Sequence, residues 1–523
     1  MPGMMKILIL YHPQDEYTAN IVGAGMRRSF TASQIKQLYY DDINVLPEAA
    51  VLINPEAREE NILNKLKQDR RKILVLGKLA HPIDEEIGLL SSPLPEEASA
   101  WAKINVSTNQ PFNATPVTIR YEENHSLSQS LMLNPRYLCR YDFNDEWNNL
   151  GYGRISVDGS IWSICNKVEE KGALPLAWIL DERDKPLSLY AALLDRPSSS
   201  LLWFNRQVGP VDSLEWHIIE RFFADYRDKE LVCLPYIPEI PYGFKGAVSM
   251  RLDCDQAISS ARPLFELYRN EGLPISLAVT TGLKMNQDDL RMLNEVVENK
   301  GAVVSHSHNH YSNWGGDYET ALREATTSKL WLEENIEKSK PIKYAASPFH
   351  QNPAFAINAL ADAGYKGFVG GIIHNQPEFI LGRAGQAPLV KEGIISHSQQ
   401  CMLHGDCFHR YGSSLEPYKQ NFNNHLAAGA IFGYFDHPFS DAYRYGWRDE
   451  KERLKAHQEL IDFIKEHGDI WWCNLNRCLD FISKRSSLSV SARNEKDILV
   501  ASAETNDNLL PIAIRWRGKT LRA

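Results

Sequence analysis

The apolar positions of the chain fall into two patterns that alternate along its length. Near the start, "KILILY" and "AVLINP" are short continuous apolar runs, "NILNKLKQDRR" spaces its apolar residues as a helix does, and "KILVLG" is a continuous run again. Continuous runs of this length predict strands buried on both faces, and their alternation with a helical segment predicts a parallel, doubly wound sheet. Between residues 100 and 170 the pattern changes to alternating, Thr- and Tyr-containing runs such as "TPVTIRYE" and "YGRISVDGSIWSIC", which predict an antiparallel, β-rich elaboration. The runs "LPLAWIL" and "SSLLWFN" and the helix-like "SLEWHIIERFFADYR" return to the α/β pattern. The proline-rich "CLPYIPEIPYG" then reads as a linker.

A second α/β series starts near residue 244. Its strand-like runs are "AVSMRLD", "ISLAVT", "GAVVSHS", "KYAASPF", "GFVGG", "GAIFGYFDH" and "DIWWCN". Helix-like segments separate them, including "DYETALREATTSKLWLEENIEK", where Leu322, Ala325, Leu332 and Ile336 keep a helical spacing. Six or seven β/α units in succession predict an incomplete (β/α) barrel. From about residue 487, runs such as "ILVASAE" and "LLPIAIRWRG" predict a short β-rich appendage. The expected organisation is an α/β domain over residues 1–238, a (β/α) barrel over 239–485 and the appendage over 486–523.

Composition narrows the class. A chain of 523 residues exceeds one compact core, and its apolar, aromatic and charged fractions of 43%, 10% and 24% are those of a globular protein. A net charge of -9 argues against a nucleic-acid footprint. No apolar run approaches the roughly 18 residues that cross a bilayer, and "MPGMMKILILYHPQDEYTAN" reads as a buried first strand rather than a signal peptide. The eight cysteines are scattered, and Cys473 and Cys478, the nearest pair, lack metal-finger partners. Reduced thiols in a cytoplasmic protein are therefore expected. Nothing selects an oligomeric state.

The chemistry concentrates in the second series. In "GAVSMRLDCDQ" the apolar run ends in Asp253 and Asp255, two residues apart, so both carboxylates leave a strand on the same face. Two like charges that close need a positive charge between them or a shared proton. A metal can supply it, because "VVSHSHNHYSNWGG" places His306 and His310 four residues apart, on one face if the segment forms a helical turn. His308 would point elsewhere. Taken singly, aspartates at a strand end can also cap a turn, and histidine-rich loops arise by chance. Both segments at strand ends of one domain favour the metal.

These motifs resemble those of the polysaccharide deacetylases of the NodB type, carbohydrate esterase family 4, over residues 244 to about 483. "LDCD" is similar to the family's paired aspartates, and "HSHNH" to its His-Ser/Thr-x-x-His motif. The resemblance implies Asp253 as general base, Asp255, His306 and His310 as ligands of one divalent metal, and His437, in "GAIFGYFDHPFSD", as general acid. Zn²⁺ is the expected ion, with Co²⁺, Ni²⁺ and Mn²⁺ compatible with the same ligands. Asp436 and Asp441 are candidates to orient His437. In "YAASPFHQNPAF", Pro348 and Phe349 fit the third motif, but Ala346 or Ser347 stands where the family has an arginine. Arg251, on the strand face of Asp253, or His350 could take its place, and the backbone N–H of Phe349 could help hold the oxyanion. His404 and His409, in "CMLHGDCFHRYG", match no family motif and could line a substrate channel or form only a polar loop.

The implied activity is metal-dependent removal of an N-acyl, foremost an N-acetyl, group from a sugar or glycan precursor. A small non-sugar amide or cyclic imide, or a decayed site that only binds carbohydrate, are the alternatives. The first domain is similar in element order alone to class I glutamine-amidotransferase-like or flavodoxin-like folds. Its turn "VLGKLAHP" lacks the nucleophilic cysteine of the former, so a non-catalytic role is expected.

Overall fold

The computed structural model describes residues 5–101, 117–133, 136–138, 155–210, 213–336, 340–370, 383–388, 390, 393–398, 401–410, 412–440, 443–492, 498–502 and 510–523. Two large sheets organise it. The first runs in the order Ile35–Tyr39, Ile7–Tyr11, Ala49–Ile53, Arg71–Leu76, Ser199–Phe204, Pro186–Arg196, Leu174–Leu180, Thr118–Tyr121, Arg136–Tyr137. Its first five strands are parallel. The continuous apolar runs have a direct explanation, since Ile7 and Ile9 enter one core while Leu8 and Leu10 enter another on the opposite face.

Two expectations need correction here. The run "LPLAWIL" forms Leu174–Leu180, but it pairs antiparallel with Pro186–Arg196 and belongs to the antiparallel extension of the sheet rather than to its parallel half. A short apolar run has the same appearance in either setting, and a tight turn over Asp181–Lys185 decides the direction. The segment "YGRISVDGSIWSIC" forms no named strand among its described residues, where Ser156 and Ile164 make isolated bridges; residues 151–154 lie outside them.

The second sheet joins Ile395–Ser398, Gly367–Gly370, Tyr344–Ala346, Ala302–Ser305, Ser276–Val279, Gly246–Cys254, Ile431–Asp436 and Cys401–Met402, all parallel. Antiparallel Gly385–Gln386 extends the sheet beyond Ile395–Ser398, and Ile470–Cys473 pairs with Gly246–Cys254. Along Gly246–Cys254, Val248, Met250, Leu252 and Cys254 pack with helix Arg262–Asn270. The alternate position Ala247 packs in a separate core with Ala278, Val304 and helix Leu475–Ser487. Arg251 and Asp253 share the parity of Ala247, so strand alternation sends them to that side. Helices are stopped and started locally: Asn286 caps Gln287–Glu298 and Asp317 caps Tyr318–Asn335.

The segment expected as a linker is packed. Leu234, Tyr236, Ile237 and Ile240 are buried, and Glu239 accepts from the backbone N–H groups of Ala384 (2.7 Å) and Ile431 (3.1 Å). Around it three buried arginines bind across the seam between the units. Arg28 donates to the carbonyls of Arg383 (2.7 Å) and Gln386 (2.8 Å), Arg383 forks onto Glu220 (2.9 and 2.6 Å), and Arg485 donates to Pro238, Ile237 and Ala384. The C-terminal residues form two hairpins, Leu488–Ala492 with Ile498–Ser502 and Ala513–Trp516 with Lys519–Arg522, which brace the same seam. Among the described residues no helix is long and apolar enough to cross a membrane.

Candidate active site

The carboxyl ends of five strands of the second sheet open into one cavity of about 760 Å³. Asp253 and Asp255 come from the end of Gly246–Cys254, His306 and His310 from beyond Ala302–Ser305, and Phe349 and His350 from beyond Tyr344–Ala346. Met402, His404 and Asp406 follow Cys401–Met402, and His437 follows Ile431–Asp436. This is the carboxyl end of the parallel strands, where the connecting loops converge.

The loop holding the two histidines is not a helical turn. Ser307 and His310 have left-handed φ angles of 64° and 56°. The buried carboxylate of Glu324 holds the loop by accepting from the N–H groups of His308 (3.1 Å) and Asn309 (2.6 Å), and the Ser307 hydroxyl accepts from His310 N (2.9 Å). Gly282 donates its N–H to the His308 carbonyl at 2.7 Å, and a Cβ at Gly282 would stand 2.6 Å from that oxygen. The irregular path still brings the Nε2 atoms of His306 and His310 to 3.0 Å. His306 Nδ1 lies 2.9 Å from the Ala346 carbonyl, a contact that puts the proton on Nδ1 and leaves Nε2 with its lone pair. Burial lowers the pKa of both imidazoles, that of His310 to about 4 with the neighbouring His306 adding to the effect. At that distance His310 Nε2–H donates to the His306 Nε2 lone pair, and both rings are neutral, the charge state from which histidine binds a metal once the shared proton is given up.

Arg251 is fully buried and forks onto Asp253, Nε to Oδ1 at 2.5 Å and Nη2 to Oδ2 at 2.8 Å, while its guanidinium lies 4.5 Å from the Phe435 ring centroid. Burial works to raise the Asp253 pKa, but Arg251, with His306 behind it, outweighs burial and holds the carboxyl well below the usual carboxylate range. Asp253 Oδ2 is 4.0 Å from His306 Nε2. Asp255 lines the same cavity and accepts from the Tyr445 hydroxyl at 2.7 Å. Among the described residues the donor atoms of Asp255, His306 and His310 are not all within 4.8 Å of one another. The chemistry of the set suits a divalent cation, with two imidazole nitrogens facing one point and a carboxylate across the cavity that would turn from Tyr445 to join them.

His437 follows Ile431–Asp436, the strand beside Gly246–Cys254, and its ring is stacked on Tyr445 at 4.3 Å and 11°, with a buried Nδ1 that has no hydrogen-bond partner. Asp436 does not reach that ring. Its oxygens accept from His437 N (2.7 Å) and Trp447 Nε1 and lie 3.1 Å from His457 Nε2. Asp441 lies outside the described residues. Phe349 and His350 line the cavity from a turn with φ of 52° and 55°, and the Phe349 ring is 4.7 Å from that of His310. Ser347 hydrogen-bonds Asn352, so nothing cationic occupies the third-motif position.

Of the two extra histidines, His404 lines the cavity beside His437, ring centroids 5.6 Å apart, whereas His409 faces Glu452 at 3.2 Å. His308 is hydrogen-bonded to Thr281 and does not line the cavity. Tyr445, Tyr443, Gln256, Met402 and Asp406 line it too, and no motif in the sequence singles them out. For the two tyrosines the aromatic density of "DAYRYGW" is the available signal.

No sequence-family description matches the chain, and no curated protein does. Solved structures do. The chain is similar to Agd3, a carbohydrate deacetylase, at 9% identity over 98% of this chain and 93% of that one, with a TM-score of 0.38. It is also similar to the Xyl-CE4 domain of a multidomain xylanase from the hindgut metagenome of Trinervitermes trinervoides, at 11% identity over 45% and 90%, TM-score 0.31. A third is BA3943 of Bacillus anthracis, a CE4-family pseudoenzyme, at 13% identity over 46% and 67%, TM-score 0.31.

Proposed function

We propose that the chain is a metal-dependent deacetylase that removes an N-acetyl group from a sugar or glycan. The observation that carries this reading is one cavity in which an arginine-clamped aspartate, two imidazoles with facing Nε2 atoms and a third histidine beside the aspartate's strand converge from separate strand ends. His306, His310 and Asp255 would hold one divalent cation, with Zn²⁺ first and Co²⁺, Ni²⁺ or Mn²⁺ compatible. When bound, it supplies Lewis acidity toward water and the acyl oxygen.

The chain's own groups divide the remaining tasks. Asp253, ionised and fixed in plane by Arg251, accepts the proton of the attacking water. Arg251 acts through Asp253 and takes the positioning role of the arginine absent before Pro348. The backbone N–H of Phe349, which lines the cavity, would help hold the developing oxyanion. His437, held flat against Tyr445, delivers a proton to the departing amine. The rim carries Tyr443, 44% exposed, a ring face of the kind that stacks on a saccharide.

The test is acetate release from N-acetylated oligosaccharides, with bound metal measured alongside. Release that depends on added metal, that disappears in Asp253→Asn with metal retained, and that disappears together with metal in His306→Ala supports the assignment. Metal-loaded protein that binds such sugars without releasing acetate would restore the reading of a decayed, carbohydrate-binding site. Release from small cyclic imides alone would restore the other.

A further inference from the structure

A second cluster of ligating side chains sits in the first unit, outside the cavity. His12 follows strand Ile7–Tyr11, and Glu56 and Glu59 follow Ala49–Ile53. These strands are neighbours in the sheet, and the chain passes between them by way of Ile35–Tyr39 on the outer side, so the strand order reverses direction between them. In open parallel sheets ligands bind at the carboxyl ends of strands at such a reversal.

Three donor atoms converge there. His12 Nε2 lies 3.4 Å from Glu59 Oε2 and 4.0 Å from Glu56 Oε1, and the three donors are all within 4.8 Å of one another. His12 is 2% exposed, and its Nε2 is buried without a hydrogen-bond partner. Glu59 is 3% exposed. The local turn accounts for part of this arrangement, since Glu59 and Glu56 form a reciprocal capping box. It does not account for a buried imidazole Nε2 that faces two carboxylates without completing a hydrogen bond. Arg58, donating to Nδ1, keeps the ring proton on Nε2, and its displacement lets that proton move to Nδ1 so that Nε2 can ligate.

The cluster also contains Arg58, with Nη2 2.7 Å from His12 Nδ1 and Nε 3.1 Å from Glu59 Oε1. Its side chain is 54% exposed, so the guanidinium can swing into solvent without breaking packing. Its place among two carboxylates shows the charge that the niche accepts.

We propose that His12, Glu56 and Glu59 form a divalent-cation site, with Zn²⁺ as the best match for one imidazole and two carboxylates, and that Arg58 is the counter-charge a cation displaces. The site is independent of the cavity in the second unit. A bound ion would tie the end of the first strand to the turn after the third.

The test uses the full chain carrying His306→Ala and His310→Ala, so that the imidazole pair of the cavity cannot contribute. Calorimetric Zn²⁺ titration should saturate at one ion per chain, and Co²⁺ should give a visible ligand-field spectrum. Adding His12→Ala or Glu59→Gln should weaken binding by at least about a hundredfold and abolish the spectrum. Adding Glu56→Gln, half exposed and still offering an amide oxygen to the capping box, should weaken it roughly tenfold, and Arg58→Ala should tighten it by a similar factor. No uptake by the double variant at about 0.1 mM free zinc would overturn the proposal, as would uptake indifferent to His12→Ala and Glu56→Gln. If His12→Ala fails to fold by circular dichroism, Glu56→Gln and Arg58→Ala decide: opposite shifts uphold the site, and no shift overturns it.

Discussion

Both α/β units set histidines, carboxylates and an arginine at the carboxyl edge of a parallel sheet, and the arginine stands on opposite sides of the two clusters. In the first unit Arg58 comes from the turn in front, half exposed, and bridges His12 and Glu59. In the second, Arg251 comes from the strand itself, fully buried behind Asp253, and leaves the imidazoles facing an open cavity. A guanidinium in front occupies the other donor atoms of the same side chains, Nδ1 of His12 and Oε1 of Glu59, and so opposes a cation held by Nε2 and Oε2. One behind a carboxylate orients it and keeps the space beyond free. The position of one arginine relative to its carboxylate therefore separates a guarded cluster from a site poised for substrate.

The largest effect should come from the second cluster. Asp253→Asn should lower acetate release by about 10²–10⁴-fold with metal content unchanged, because the amide keeps the shape but cannot take a proton from water. An Asp253→Asn enzyme that kept most of its rate would exchange the roles assigned to Asp253 and Asp255.

Stability should separate the two arginines next. Arg251→Met leaves a buried carboxylate unpaired and should cost about 3–5 kcal/mol in urea unfolding. Arg58→Ala removes a half-exposed guanidinium but leaves the buried Glu59 carboxylate and His12 Nδ1 without it, and should cost about 1–2 kcal/mol. Equal costs would erase the contrast between front and back.

The seam between the units should report on pH. Burial pushes the His425 pKa down to about 4, against an ordinary value near 6.5. The unfolded chain therefore binds more protons than the folded one in this interval, and stability complete above pH 6.5 drains away as the pH falls toward 4. The contribution is on the order of 3 kcal/mol. His425→Asn should give a visibly shallower loss of unfolding free energy across that window. An unchanged slope would mean that His425 is protonated in the folded seam.

The smallest effect is expected at Tyr445. Tyr445→Phe keeps the ring stacked on His437 and removes the hydroxyl from Asp255. A change of about 1 kcal/mol, severalfold in metal affinity, is expected with little change in the pH profile of kcat. A large drop in kcat at saturating metal would place the hydroxyl in the reaction itself.

Much of the fold and of the candidate site is legible in the amino-acid sequence. The continuous apolar runs locate the parallel strands of both units because a strand covered on both faces must be apolar at every position, as Ile7–Tyr11 is. Strand alternation puts Arg251 and Asp253 on one side, and their pairing needs no information from beyond three consecutive residues. The spacing of His306 and His310 puts both rings on one face if the segment is a helical turn, and it is not one, since left-handed residues and Glu324 shape that loop. The two rings meet all the same.

What the sequence by itself determined is local: the strands that end in candidate ligands, the helices between them, and the side chains that leave one strand together. These depend on backbone periodicity and nearest neighbours along the chain. Only the tertiary structure decided that Tyr445 meets Asp255 across 190 positions, that His404 lines the cavity while His409 turns away, that "LPLAWIL" runs antiparallel, and that the proline-rich segment is buried beneath three arginines. Each of these is a contact between residues distant in the chain. Its free energy resides in the burial of both partners together, and neither partner carries a mark of it alone.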